Sequence, residues 1–178
     1  MMKKKLAILP YVTFICIVLI FFYLLIIQRN PSEIPSAFIN KKIPKFESVS
    51  ILDKKQFFSY EHFNDEITLV NFFATWCKPC RDEHVFIKKL AEKDNIKVLG
   101  INYKDDPKKA IKWIKDLGNP YYEILIDKNG RIAIEWGVYG IPETFVVNSK
   151  KIIKYRHVGP INEKSYKKIN TIIREIKK

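Results

Sequence analysis

Cysteine is scarce in this chain, with three in 178 residues, and histidine is no commoner. Cys77 and Cys80 make one Cys-x-x-Cys, and no second pair exists to complete a four-sulfur zinc site. His84 with His62 or His157 would supply further ligands only at a spacing that matches no usual structural zinc pattern. Arg81 stands where covalent haem attachment needs a histidine directly after the second cysteine. Internal repeats and low-complexity tracts are missing, and no RNA- or DNA-binding module is recognisable. The net charge of +13 therefore does not point to nucleic acid. Its lysines are scattered in short pairs such as Lys54-Lys55, Lys88-Lys89 and Lys167-Lys168, which read as solvated faces with some attraction to acidic lipid.

Charge is also missing from residues 6–27, an apolar stretch preceded by Lys3-Lys4-Lys5 and followed by Gln28-Arg29-Asn30-Pro31. About 20 apolar residues cross a bilayer core, so the stretch is long enough. A cleaved signal peptide is the competing reading, but the apolar run is long for one and no small-x-small pattern follows Ile27. The expectation is an uncleaved anchor with residues 1–5 in the cytoplasm, on the inner membrane, and the rest of the chain in the periplasm. Cys16 would then be buried in lipid with no redox role. Residues 28–44 hold three prolines and little periodicity and read as an extended linker to a domain over 45–178.

What is there is concentrated in Trp76-Cys77-Lys78-Pro79-Cys80, directly after the apolar run 67–74. A strand feeding a Cys-x-x-Cys at a helix start is a good way to build a reversible dithiol. Unpaired backbone N–H groups and the helix dipole favour a thiolate there. Pro79 suits the first helical turn, and Cys80 lies within reach to resolve a mixed disulfide. Lys78 places a positive charge between the cysteines, which favours the Cys77 thiolate. The spacing alone leaves a structural staple and a redox pair both open; the missing zinc and haem partners favour the redox pair.

Periodicity places short strands within 45–58, a buried strand over 67–74 and a helix over 79–92 with Val85, Phe86, Leu90 and Ala91 inward. A strand over 96–102 leads to a helix capped by Asp106 with Pro107 at its first position, burying Ala110, Ile111, Ile114 and Leu117 and stopping at Gly118. A strand over 121–127 ends at the Asn129-Gly130 turn, and 144–147 with 151–155 read as a hairpin. A final helix over 162–176 buries Ile169, Ile172, Ile173 and Ile176. That order implies an α/β domain, a central mixed sheet flanked by helices, with the dithiol at a strand–helix junction. It is the arrangement of the thioredoxin fold.

The segment Asn71-Phe-Phe-Ala-Thr-Trp-Cys-Lys-Pro-Cys-Arg-Asp-Glu-His84 resembles the active site of the CcmG/DsbE group, membrane-anchored thioredoxin-like proteins of cytochrome c maturation. Trp136-Gly-Val-Tyr-Gly-Ile-Pro-Glu-Thr-Phe145 resembles a second signature of that group, and the segments 102–106, 117–121 and 155–159 are similar to it as well. The resemblance covers roughly 45–178. It implies that Cys77 attacks and Cys80 resolves, and that Pro142 is a cis-proline exposing the Ile141 backbone to a substrate peptide. It also implies that Glu83 lies near the dithiol, and that Glu143 and Trp76 belong to the substrate surface. The implied function is a protein disulfide reductase for the haem-binding cysteines of apocytochrome c, or for a maturation partner. A membrane thiol reductase of the DsbD/CcdA kind would supply electrons, and no metal, nucleotide or flavin would be needed. A general extracytoplasmic exchanger and a copper-binding module of the same fold are the alternatives. Asn71 departs from ordinary thioredoxins, which carry a buried aspartate there. Asn71 cannot exchange a proton, so Glu83 becomes the candidate for tuning the dithiol.

Overall fold

All six residues of one strand, Thr68–Phe73, are buried, which requires cover on both faces. In this computed structural model that strand, β3, is the middle of a five-stranded sheet. The structure describes residues 2–26, 38–53, 57–63 and 66–177, with the side chains of the first helix described over 10–24. In chain order the elements are α1 (Met2–Ile26), β1 (Glu47–Val49), β2 (Phe57–Ser59), β3, α2 (Lys78–Glu92), β4 (Lys97–Tyr103), α3 (Pro107–Leu117), β5 (Glu123–Asp127), α4 (Arg131–Glu135), β6 (Glu143–Val147), β7 (Ile153–Val158) and α5 (Glu163–Ile176). The sheet runs β5-β4-β3-β6-β7. Strands β3, β4 and β5 are parallel, while β6 and β7 are antiparallel to their neighbours, so the sheet is mixed.

Successive β3 side chains alternate between the two faces, as strand geometry demands. Leu69 and Phe73 join the core under α2, α3 and α5 with Ile87, Leu90, Trp113, Ile114, Ile169 and Ile173. Val70 and Phe72 face the opposite core, with Trp136, Phe145, Ile132 from α4 and Phe46, Phe58 and Phe63 from the N-terminal arm. The same alternation puts Asn71 on the α2 side.

The arm clasps the sheet at both edges. The amides of Asn40 and Ile43 donate to the Ile153 and Lys151 carbonyls at the start of β7, and the Ile153 amide returns to Lys41. Further on, the Ser48 hydroxyl donates to the Ile126 carbonyl and the Ile51 amide to that of Ile124, both in β5. Residues 38–44, read as the end of a linker, therefore lie on the domain, because their backbone groups complete an exposed strand. Residues 28–37, the rest of that stretch, and Ile27 at the end of the apolar run lie outside the described residues.

Two helices differ from the sequence reading. In α2 the buried face is Cys80, Glu83, His84, Ile87 and Leu90, while Val85 is 52% exposed. Two buried polar side chains hid the true stripe and rotated the apparent one. Helix α4 escaped the periodicity argument, being only 5 residues long. Its cap is unusual: the N-cap residue is left-handed Gly130 (φ 74°), which has no side chain to cap with, and the capping carboxylate comes from Asp127 at the end of β5. Asp127 accepts from the amides of Ile132 (3.2 Å) and Ala133 (2.9 Å).

The chain divides into two compact units, Met1–Ile34 and Pro35–Lys178. The first contains α1, which continues through Pro10. Among the described residues no helix is long and apolar enough to cross a membrane.

Removing the Asp127 cap strands two amides. Asp127→Ala is expected to lower unfolding free energy by about 1–3 kcal/mol, with Asp127→Asn closer to wild type, as read from urea denaturation.

Candidate active site

Strand β3 ends at Phe73, and the chain turns through Ala74-Thr75-Trp76 into α2, with Cys77 as the helix cap. The Cys77 amide donates to the Ala74 carbonyl (3.2 Å), and its sulfur accepts from the Cys80 amide at 3.2 Å. Sulfur therefore occupies the place where a serine or aspartate oxygen usually caps a helix. An anionic sulfur gains there from the free amides and the helix dipole. Cys77 and Cys80 are joined as a disulfide. Cys77 is 5% exposed and Cys80 1%, so Cys77 is the more accessible of two buried residues.

Opposite the disulfide runs the loop that leads into β6. Its Ile141–Pro142 peptide is cis, and the Ile141 carbonyl lies 3.8 Å from the Cys77 sulfur. Ile141 is half-buried and Pro142 buried. Glu143, read from the sequence as part of a substrate surface, is wholly buried. Its carboxylate accepts from Arg156 Nε and Nη2 at 2.7 Å and from the Tyr139 (3.2 Å) and Gly140 (3.4 Å) amides. Arg156 also donates to the Gly137 carbonyl (2.8 Å) and lies over the Tyr139 ring (4.9 Å). Glu143 thus acts on the shape of the 137–141 loop from beneath. The exposed side chain of that loop is Tyr139.

On the inner side of the dithiol lies Glu83, one turn of α2 beyond Cys80 and 1% exposed. Its Oε1 accepts from Asn71 Nδ2 (2.8 Å) and its Oε2 from the Ile161 amide (2.9 Å). The rest of the Asn71 amide is engaged as well: Oδ1 accepts from the Tyr121 hydroxyl (3.0 Å), and Nδ2 also donates to Thr144 Oγ1 (3.0 Å). Burial pushes the Glu83 pKa up to about 8, against the downward pull of its two donors. The Tyr121 hydroxyl is held well above its ordinary range by burial and by the neighbouring Glu83 charge.

Trp76 is 60% exposed, with its indole donating to the Lys104 carbonyl at 3.3 Å. The site therefore gathers Trp76, Cys77, Cys80, Glu83, Ile141 and Pro142, with Glu143 behind them. Lys78 lies on the outer face of α2, 3.2 Å from Asp82, which shares its charge. His84 points inward against Trp113 (4.4 Å between rings). Its Nε2 must carry the proton, since it lies 2.9 Å from the Gly118 carbonyl, and burial lowers its pKa. The sequence reading missed Asp105, which grips Thr75, and Arg156, which grips Glu143. Each lies within a segment that resembles the family, but neither belongs to a motif with chemistry of its own.

Comparison with known proteins agrees with this geometry. Residues 39–173 match the Redoxin family. The thiol:disulfide interchange protein DsbE of Vibrio cholerae is 36% identical over 168 residues, covering 93% of this chain and 91% of that protein. The DsbE of Escherichia coli K12 is 40% identical over 167 residues, covering 90% and 89%. A secreted thiol-disulfide isomerase of Corynebacterium glutamicum shares the fold, with a TM-score of 0.69 at 18% identity over 85% of this chain and 97% of its own. The chain belongs to the Redoxin family and, within it, to the DsbE thiol:disulfide interchange proteins. It is a thiol-disulfide oxidoreductase.

Glu83 sets a pH dependence whose sign follows from its shift. The folded protein keeps the Glu83 proton up to about pH 8, whereas the unfolded chain releases it near 4.5. The stability this confers is complete below pH 4.5 and is lost as pH rises through 8, at up to about 1.4 kcal/mol per unit. Denaturation of the oxidised protein at several pH values is expected to show this slope, and Glu83→Gln to flatten it.

Proposed function

We propose that the dithiol runs as a reductant on the haem-binding Cys-x-x-Cys-His segments of apocytochrome c, or on a maturation partner. The carrying observation is the more accessible Cys77 sulfur at the cap of α2, beside the cis Ile141–Pro142 peptide, with protonatable Glu83 one turn beyond Cys80. The Cys77 thiolate attacks one sulfur of the substrate disulfide. That bond breaks, a mixed disulfide forms, and the released substrate sulfur takes up a proton. Cys80 then loses its proton and attacks the Cys77 sulfur, closing Cys77–Cys80 and freeing the second substrate thiol. Two electrons pass from the protein to the substrate. The Cys80 proton passes to Glu83 in its carboxylate form, which is the minor form below about pH 8. The dithiol carries the electrons itself, without metal or organic cofactor.

The protein would stand on the inner membrane by residues 6–27, with residues 45–178 in the periplasm. Support comes from the uncharged run itself and from α1, whose apolar side chains between Tyr11 and Leu24 are mostly exposed. A compartment that oxidises thiols requires a donor, and a membrane thiol reductase of the DsbD/CcdA kind fits.

Cys80→Ser arrests the cycle at the mixed disulfide. The trapped partner is expected to be a Cys-x-x-Cys-His protein or a maturation factor; recovery of only unrelated secreted proteins would instead identify a general exchanger. For the anchor, the full chain is expected in the membrane fraction after carbonate washing, and a chain starting at residue 28 in the supernatant.

A further inference from the structure

The turn that carries Cys77 is gripped from the side by two consecutive residues, Lys104 and Asp105, in the loop between β4 and α3. The Asp105 carboxylate accepts four hydrogen bonds: Oδ2 from the Thr75 amide (2.6 Å) and Asn102 Nδ2 (3.0 Å), Oδ1 from the Thr75 hydroxyl (2.9 Å) and the Asp106 amide (2.8 Å). Every partner is a donor, so this socket is matched to a carboxylate. An asparagine there would turn its NH₂ against two of them. One residue earlier, the Lys104 carbonyl takes the Trp76 indole proton.

Lys104 does this from a left-handed backbone, φ 45°, which a lysine rarely adopts. Such a conformation costs on the order of 1 kcal/mol and persists where the surroundings over-determine it. They do so here. The Lys104 amide donates to the Asp127 carbonyl of β5 (2.9 Å), and Asp106 caps α3 by accepting from the Lys108 amide (2.9 Å). The loop is thus pinned to β5 on one side and to α3 on the other, and it passes that rigidity to Thr75 and Trp76.

We infer that Asp105 is a positioning residue for thiol exchange with peptide disulfides. It acts through Thr75, holding the Thr75-Trp76-Cys77 turn so that the exposed indole of Trp76 stands as a fixed wall beside the Cys77 sulfur. A peptide disulfide has to pass between that wall and the Ile141 backbone. A small disulfide reaches the sulfur without leaning on either. Asp105 therefore governs the peptide reaction and leaves the intrinsic reactivity of Cys77 largely alone.

The test compares two reactions of the reduced protein, one with a short peptide closed by a Cys-x-x-Cys disulfide and one with a small aromatic disulfide. Asp105→Ala is expected to slow the peptide reaction about tenfold or more, while the small-disulfide rate stays near wild type. In the NMR spectrum the Trp76 indole N–H signal should shift and broaden, with those of the buried Trp113 and Trp136 unmoved. Thr75→Val removes one of the four bonds and carries the test should Asp105→Ala fold poorly. It should slow the peptide reaction in the same selective way, and its loss should not add fully to that of Asp105→Ala, since both cut one link. An unchanged peptide rate in both variants overturns the inference. So does an equal loss of both rates in Thr75→Val, because the effect would then lie in the sulfur or in the fold at large.

Discussion

The carboxylate of Glu83, shut away from water on the inner side of the dithiol, is the group on which the rest of the site depends. Through Asn71 it is tied to β3, and through Asn71 in turn to Thr144 in β6 and to Tyr121 just before β5. The Ile161 amide brings in the chain that leads to α5. A buried acid held only by donors is caught between two opposed demands, since burial favours the neutral form and donors favour the charged one. Burial outweighs the donors, and the acid titrates at about 8. The redox pair is therefore built beside a group that changes charge in the range where thiols themselves react.

The surface above is held by two further acids that play no direct part in sulfur chemistry. Asp105 fixes the Trp76 side, and Glu143 with Arg156 fixes the Ile141 side. The second pair is almost fully dehydrated, and such a pair is weak grounds for stability because desolvation offsets its attraction. Its use here is geometric. The two charges consume the amides and a carbonyl of the 137–140 loop, so that loop has few alternative conformations open to it.

Much of this could be read from the residues. The strand–Cys-x-x-Cys–helix order is local, and the β3, α3 and α5 patterns each follow one period. Asn71 stood out because it replaces an acid, and Glu83 because it is the nearest acid to Cys80 in the chain. What escaped reading was long-range. The buried face of α2 includes Glu83 and His84, which hydrophobicity assigns to the surface. Nothing local in Asp105 reveals that it will meet Thr75, 30 residues away, and Glu143 looks like a surface acid until Arg156 is brought beside it by the β6–β7 ladder. Helix α4 is capped by a strand residue outside the usual cap position, so its start carries no recognisable signal.

The clasp formed by residues 40–51 has a consequence for behaviour in a crowded compartment. A sheet with bare outer strands offers rows of unpaired amides and carbonyls on which another chain can grow by strand addition. Here one short segment covers part of both outer strands, the start of β7 and the length of β5 near Ile124–Ile126. The same stretch that leads away from the N-terminus thus doubles as a guard against self-templated assembly. Loss of residues 40–51 as a whole would lay open both edges at once, so the cover of the sheet is written into the segment by which the domain would be tethered.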